Sequence, residues 1–258
     1  MSDQRDAPAV TAALVIIGDE ILSGRTKDEN IAYIAAHLAR IGISLREVRV
    51  VPDLVDAIAE TVNELRKRFT YVFTTGGIGP THDDVTTDAI ATAFSVEALV
   101  DPKAIAAMRK RFSEAELTPS RLRMARIPKG ATLIDNVVSR APGYMLDNVI
   151  VLAGVPRIMQ VMLDAVSRHL AKGRPMLTRT IRVDGPEGDA APGLAELQAA
   201  HPDVQIGSYP FFEGERLGTY VVLRSTDGAK LGAAENALWI LIRKQGFDAA
   251  AADEDEQF

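Results

Sequence analysis

Between Thr75 and Thr86 the chain gathers Gly76, Gly77, Gly79, Pro80, Thr81, His82, Asp83, Asp84 and Thr86 into one stretch. Glycines tolerate positive φ and let a ligand approach main-chain N–H groups, so the cluster predicts a cradle for an anion, phosphate above all. Asp83 and Asp84 would repel a bare phosphate. A divalent cation between the carboxylates and the phosphoryl oxygens reconciles the two charges. The plainer alternative is a tight connection in which Asp84 is the N-cap of the next helix, and the two roles are compatible. Upstream, Gly18, Asp19, Glu20 and Asn30 form a second polar group. Taken alone, Asp19 and Glu20 fit a solvated turn and Asn30 fits a helix N-cap.

The surrounding elements bring the two groups together. Ala12 to Ile17 is an apolar run of the kind buried on both faces of a parallel sheet, and it ends at Asp19. Tyr71 to Phe73 reads as a second buried strand, ending at the glycines. The helical pattern from Asp84 to Phe94 has apolar positions at 85, 89, 90, 93 and 94. Ligands of open parallel sheets bind beyond the carboxyl ends of the strands, so both loops are predicted to face one cleft.

Strands near 12–17, 44–51, 70–75 and 149–153 alternate with helical patterns near 30–41, 54–68, 84–95 and 156–171. That rhythm predicts an α/β domain over residues 8–172, a three-layer, mostly parallel sheet covered by helices. Gly173 and Pro175 end it. A smaller α+β domain is expected over 175–247, with strands at 176–183, 204–209 and 219–224 and helices at 194–200 and 229–245. Residues 248–258, with their run of acids, are expected to be a disordered acidic tail.

At 258 residues and 47% hydrophobic content the chain can bury a large core. Its net charge of -6 gives no general attraction to nucleic acid, so phosphate binding must be local. No cysteine is present, which removes disulfides and thiolate chemistry. No run of about 18 apolar residues and no leader-like N-terminus is present, so a cytoplasmic protein with no membrane partner is expected.

The pairing of Gly18-Asp19-Glu20-Ile21-Leu22-x-Gly24 with Gly76-Gly77-x-Gly79-Pro80-Thr81-x-Asp83-Asp84-x-Thr86 resembles the competence/damage-inducible protein A family. Pro128-Lys129-Gly130-Ala131, Asn136, Ala141-Pro142-Gly143-Tyr144 and Leu152 to Met159 follow in the family's order, so the resemblance spans about residues 10 to 245. It implies a fold of the molybdopterin-binding type. It also implies a small-molecule nucleotide or pterin phosphate as partner, a divalent metal (Mg, Mn or Co) with potassium as a further cation, and association into a homo-oligomer. Proteins with this domain are known as ADP-ribose pyrophosphatases. A related domain sits beside the FAD synthetase of animals, and cofactor-synthesis cousins bind and adenylylate molybdopterin. Carried over by position, Asp19 and Asp84 resemble the metal-binding and catalytic acids. Gly76, Gly77, Gly79 and Thr81 resemble the phosphate loop, and Asn136 and Gly143 a further ligand wall.

The chain departs from the family's pattern at Ala153, Ile158, Ser139 and Arg140, which places the phosphate end on firmer ground than the substrate end. The family's C-terminal deamidase domain is not expected before Phe258. The predicted chemistry is attack of water on a diphosphate, with a cation held by Asp19 and Asp84 and helped by Asp83 and Glu20; Pro80, Thr86 and Asn30 join the substrate-binding set. The alternatives are a molybdopterin-binding or adenylyl-transfer protein and a non-catalytic nucleotide-binding module. His82 reads equally as a ligand and as a surface group, whereas His37, His169 and His201 read as structural. The basic stretch 101–127 reads as a solvated helical face, with a lid reaching the anion as the sharper alternative.

Overall fold

The computed structural model describes residues 9–214 and 216–252, and only the main chain of Arg216. The predicted acidic run 253–258 lies outside the described residues. The chain divides into two compact units between Gly173 and Arg174.

In the first unit β1 (Thr11–Ile17) is followed by α1 (Asp19–Leu22), α2 (Asn30–Arg40), β2 (Ser44–Val51), α3 (Val55–Leu65), β3 (Tyr71–Thr75) and α4 (Thr86–Phe94). Then come β4 (Ala98–Val100), α5 (Pro102–Met108), α6 (Pro119–Arg123), β5 (Arg126–Pro128), β6 (Thr132–Ile134), β7 (Gly143–Leu146), β8 (Val149–Leu152) and α7 (Pro156–Ser167). Six strands form one sheet in the order β2-β1-β3-β8-β7-β6. The first four are parallel, and the hairpin of β6 and β7 closes one edge antiparallel. β1 is buried on both faces, as its unbroken apolar run requires. Ala13, Val15 and Ile17 join the core under α3 and α4, while Ala12, Leu14 and Ile16 join the core under α2 and α7. The result is a three-layer α/β domain with a mixed sheet. The 101–127 stretch is not one helical face, since α5 and α6 are joined to the two-stranded ribbon of β4 and β5.

The second unit contains β9 (Leu177–Asp184), α8 (Glu187–Ala200), β10 (Gln205–Glu213), β11 (Arg216–Ser225), α9 (Gly228–Gln245) and β12 (Asp248–Ala251). Its antiparallel sheet runs β10-β11-β9-β12, with α8 and α9 packed over Ile181, Val183, Val221 and Leu223. Two expectations change here. α8 begins seven residues before the predicted 194, through Gly188 and Pro192. Residues 248–251 are not tail but an edge strand, paired from Asp248 opposite Asp184 to Ala251 opposite Ile181. Among the described residues no helix is long and apolar enough to cross a membrane.

His37 joins α2 to α7 through a constellation that imitates a nucleophilic triad. Its Nε2 lies 2.8 Å from Ser167 Oγ and its Nδ1 lies 3.5 Å from Asp164. Ser167, however, donates its hydroxyl proton to the Leu163 carbonyl at 2.6 Å, so His37 Nε2–H must donate to Ser167 and no base is aimed at that hydroxyl. The role is structural. Burial, only partly offset by Asp164, pulls the imidazole below its ordinary pKa. The folded state therefore binds fewer protons there than the unfolded chain. Its stability contribution is full above the ordinary histidine pKa near 6.5 and is lost as pH falls through that value toward the lower folded one. Urea unfolding followed by far-ultraviolet circular dichroism is expected to show His37→Gln flattening the wild-type slope below pH 6.5. One proton limits that slope to about 1.4 kcal/mol per pH unit.

Candidate functional site

Parallel pairing places Ile16 of β1 opposite Thr75 of β3, so both strands end at one edge and their loops leave side by side. Gly76 (φ +103°) lies so close to the Ile17 carbonyl oxygen that any side chain on it would strike that oxygen. Gly154, past the end of β8, packs against it from the other side, for a Cβ there would sit 3.2 Å from Gly76 Cα. Asn30 Nδ2 donates to the Gly154 carbonyl at 2.8 Å. The loops after β1, β3 and β8 thus meet around Gly76. Two acceptors are left buried and unpartnered at this edge, Asn30 Oδ1 and Thr75 Oγ1. Such oxygens in a native site call for a donor or a cation.

The turn after β3 is shaped by Asp84. Its carboxylate accepts from the Gly79 N–H at 2.7 Å, the Thr81 N–H at 2.8 Å and the Thr81 hydroxyl at 2.5 Å. A Cβ on Gly79 would meet that carboxylate at 2.6 Å, so the glycine is required by the acid. Asp84 therefore holds the turn closed and is not presented as an open metal ligand. It is not the helix N-cap either, because α4 begins at Thr86 after Val85. The Gly79 and Thr81 N–H groups, predicted to hold phosphate, are spent on this carboxylate. The Gly77 and Ile78 N–H groups, which follow the strand directly, pair with no group of the described residues. Gly77 has φ +65° and Ile78 is anchored against both core layers, so the two free donors belong to a fixed turn. Successive free amides of this kind make an anion nest.

Other expected ligand residues turn inward. Thr86 is buried, and its hydroxyl donates to the Gly76 carbonyl at 2.9 Å while its N–H donates to Gly77 O at 3.0 Å. It staples the turn to α4. Asn136 is buried and saturated, its amide donating to Ser139 Oγ and Ala141 O while its oxygen accepts from Val138 N and Ser139 N. Gly143 lies inside β7, where a Cβ would meet Val151 O at 2.5 Å. These two organise the hairpin edge of the sheet and form no wall of the cleft. Pro80, Thr81, His82 and Asp83 occupy the exposed tip of the turn, with His82 4.0 Å from Asp83. Asn30 does not cap α2 by its side chain; Asp28 accepts from the Ile31 N–H at 2.8 Å in its place.

One acid was missed. Asp53, two residues past the end of β2, accepts the Asp19 N–H at 2.9 Å through Oδ2. Burial holds its carboxyl above the usual range; the Asp19 N–H works against this, and the charges of Asp19, Glu20 and Asp83 push further upward. The strand-end rule that selects Asp19 selects Asp53 as well, since Val51 closes an apolar strand and Pro52-Asp53 follows it. Among the described residues no three His, Asp or Glu side chains form a ready-made metal cage. The donor set is nevertheless all oxygen and crowded with negative charge. That suits a hard cation which takes one or two protein carboxylates and completes its shell with water and substrate phosphate.

Residues 13–173 match the family described as probable molybdopterin binding domain, and residues 175–250 match the FAD synthase middle domain. A protein of Pyrobaculum calidifontis is 34% identical over 211 residues, covering 78% of this chain and 80% of its own. A probable FAD synthase of Caenorhabditis briggsae is 29% identical over 255 residues, 88% of this chain and 49% of the worm protein. The crystal structure of the protein CinA from Thermoplasma acidophilum, described as of unknown function, is 36% identical and covers 62% of this chain and 98% of that one, with a TM-score of 0.59.

Proposed function

We propose that this chain, which belongs to the molybdopterin-binding-domain family in its competence/damage-inducible protein A branch, is a metal-assisted hydrolase of a nucleotide diphosphate such as ADP-ribose. The observation that carries the reading is the meeting of crowded acids with free main-chain donors at one sheet edge: Asp53 beside Asp19, Glu20 and Asp83, next to the unpaired Gly77 and Ile78 N–H groups. Gly77 and Ile78 bind one phosphoryl group and fix its orientation. Asp19 and Glu20 would hold a divalent cation at this edge. Such a cation, when bound, neutralises charge on the phosphoryl oxygens and acidifies water. Asp53 keeps Oδ1 free while Oδ2 is fixed by Asp19, and its raised proton affinity suits it to take the proton of the attacking water. Asn30 Oδ1 accepts from a ligand hydroxyl.

The family's description and the FAD-synthase-type second unit support one rival, a pterin- or adenylyl-transfer site at the same cradle. Incubating the folded protein with ADP-ribose and Mg²⁺, Mn²⁺ or Co²⁺ is expected to release AMP. No AMP from ADP-ribose, FAD or NADH overturns the hydrolase reading, and consumption of ATP in the presence of a pterin phosphate favours the rival.

A further inference from the structure

The arginines of the stretch from α5 to β5 divide by what they hold. Arg109 pairs with Glu114 at 2.9 Å, and Arg126 grips Asp88 of α4 through bonds of 3.1 and 2.6 Å. Arg111 donates to the Val138 carbonyl at 2.6 Å, and Arg121 donates to the Glu116 carbonyl at 2.7 Å while covering the Phe112 ring. Arg123 is different. Among the described residues its one hydrogen bond is Nη2 to the Asp84 carbonyl at 3.2 Å, it has no carboxylate partner, and its Nε is buried with no acceptor. A cationic N–H left dry and unmatched is costly, and in native proteins it marks a missing ion or ligand. The carbonyl that holds Arg123 belongs to the residue whose carboxylate closes the phosphate turn. A guanidinium is thereby fixed beside the turn that carries the free Gly77 and Ile78 amides.

We infer that Arg123 is the cationic contact for the anionic group bound at this turn, offering its unmatched N–H groups to phosphoryl oxygens. The planar fork matches two oxygens at once, which an ammonium does not. The inference rests on the 76–81 turn being a phosphate cradle and is independent of hydrolysis. It gives the basic stretch a function delivered by one arginine, held on a short helix that begins at Pro119 with Thr118 as its cap.

The test is isothermal titration of the full chain with inorganic pyrophosphate, with and without Mg²⁺. Arg123→Gln is expected to weaken binding about 10- to 100-fold, the loss of charge-assisted hydrogen bonds, and to make the Kd less sensitive to salt. Arg123→Lys keeps the charge on a side chain one atom shorter, and a loss of at least about threefold with Tm unchanged reads the fork itself, including where the glutamine variant fails to fold. Arg126→Gln is expected to lower Tm while leaving the Kd within about twofold, because its partner is Asp88. Failure of the wild type to bind pyrophosphate in either condition, or equal binding by Arg123→Gln or Arg123→Lys, overturns the inference. Tight pyrophosphate uptake by a protein that releases no AMP sinks the hydrolase reading alone and leaves Arg123 in place.

Discussion

Asp53→Asn is expected to cut turnover of ADP-ribose by about 10²- to 10⁴-fold, the usual contribution of a general base, while leaving the protein at least as stable as the wild type at neutral pH. The asparagine oxygen can still accept the Asp19 N–H, so the backbone after β1 keeps its brace. What disappears is a half-buried charge facing Asp19, Glu20 and Asp83. The sign follows from the raised carboxyl. The folded state binds a proton at Asp53 more readily than the unfolded chain, so stability is greatest while the group is protonated and is lost as pH rises through its elevated pKa. The melting temperature of Asp53→Asn should therefore rise above the wild type's as pH increases past that titration, and the two should converge in acid. Paired pH series of kcat and Tm read this directly. Unchanged turnover with a lowered Tm would reduce Asp53 to a brace for Asp19. A catalytic group that costs stability is the pattern expected where a fold has been bent to a function.

The parts of the fold that could be read in advance were those whose burial is total. β1 lies between two helix layers, so every position must be apolar, and Ala12 to Ile17 has no competing reading. α2, α3 and α7 each present one apolar face at helical spacing, and their observed bounds differ from expectation by a few residues at most. β12 is the opposite case. Asp248 and three alanines carry no strand preference, and they pair only because β9 offers them an open edge. The start of α8 was hidden by Gly188, Pro192 and Gly193, residues that ordinarily mark turns.

The site divides along a similar line. That the loops after β1 and β3 share an edge follows from strand order, and the crowding of Gly76 on Ile17 expresses it in atoms. Which way a side chain turns does not follow. Asp84, Thr86 and Asn136 are polar residues in a loop-rich region, and whether their oxygens face a ligand or their own turn depends on how the chain folds back over a few residues. Arg123 illustrates the longer-range version. Its contact lies 39 residues away in sequence, and nothing local separates it from Arg121 or Arg126.

Gly76→Ala is expected to be the most damaging single methyl group in this site. At φ +103° an alanine is strained by about 1–3 kcal/mol wherever it sits. Here the new Cβ also meets the carbonyl oxygen of Ile17, the last residue of a strand buried on both faces, so neither side can withdraw without opening the β1–β3 pairing. The combined cost should exceed about 3 kcal/mol, which for a unit of this size lowers Tm by roughly 6–12 °C. Ligand uptake should fall with it, because the displaced turn carries the Gly77 and Ile78 N–H groups. Gly24→Ala separates the two causes, since Gly24 has φ +71° but no other group lies within 4 Å of the place its methyl would take. It should cost only the backbone strain, about 1 kcal/mol, and leave pyrophosphate binding intact. Thermal melts and titration of both variants give the comparison. Equal, small losses at both positions would mean that the two loops do not press on each other, and the acids and amides would then belong to separate surfaces with no common phosphate between them.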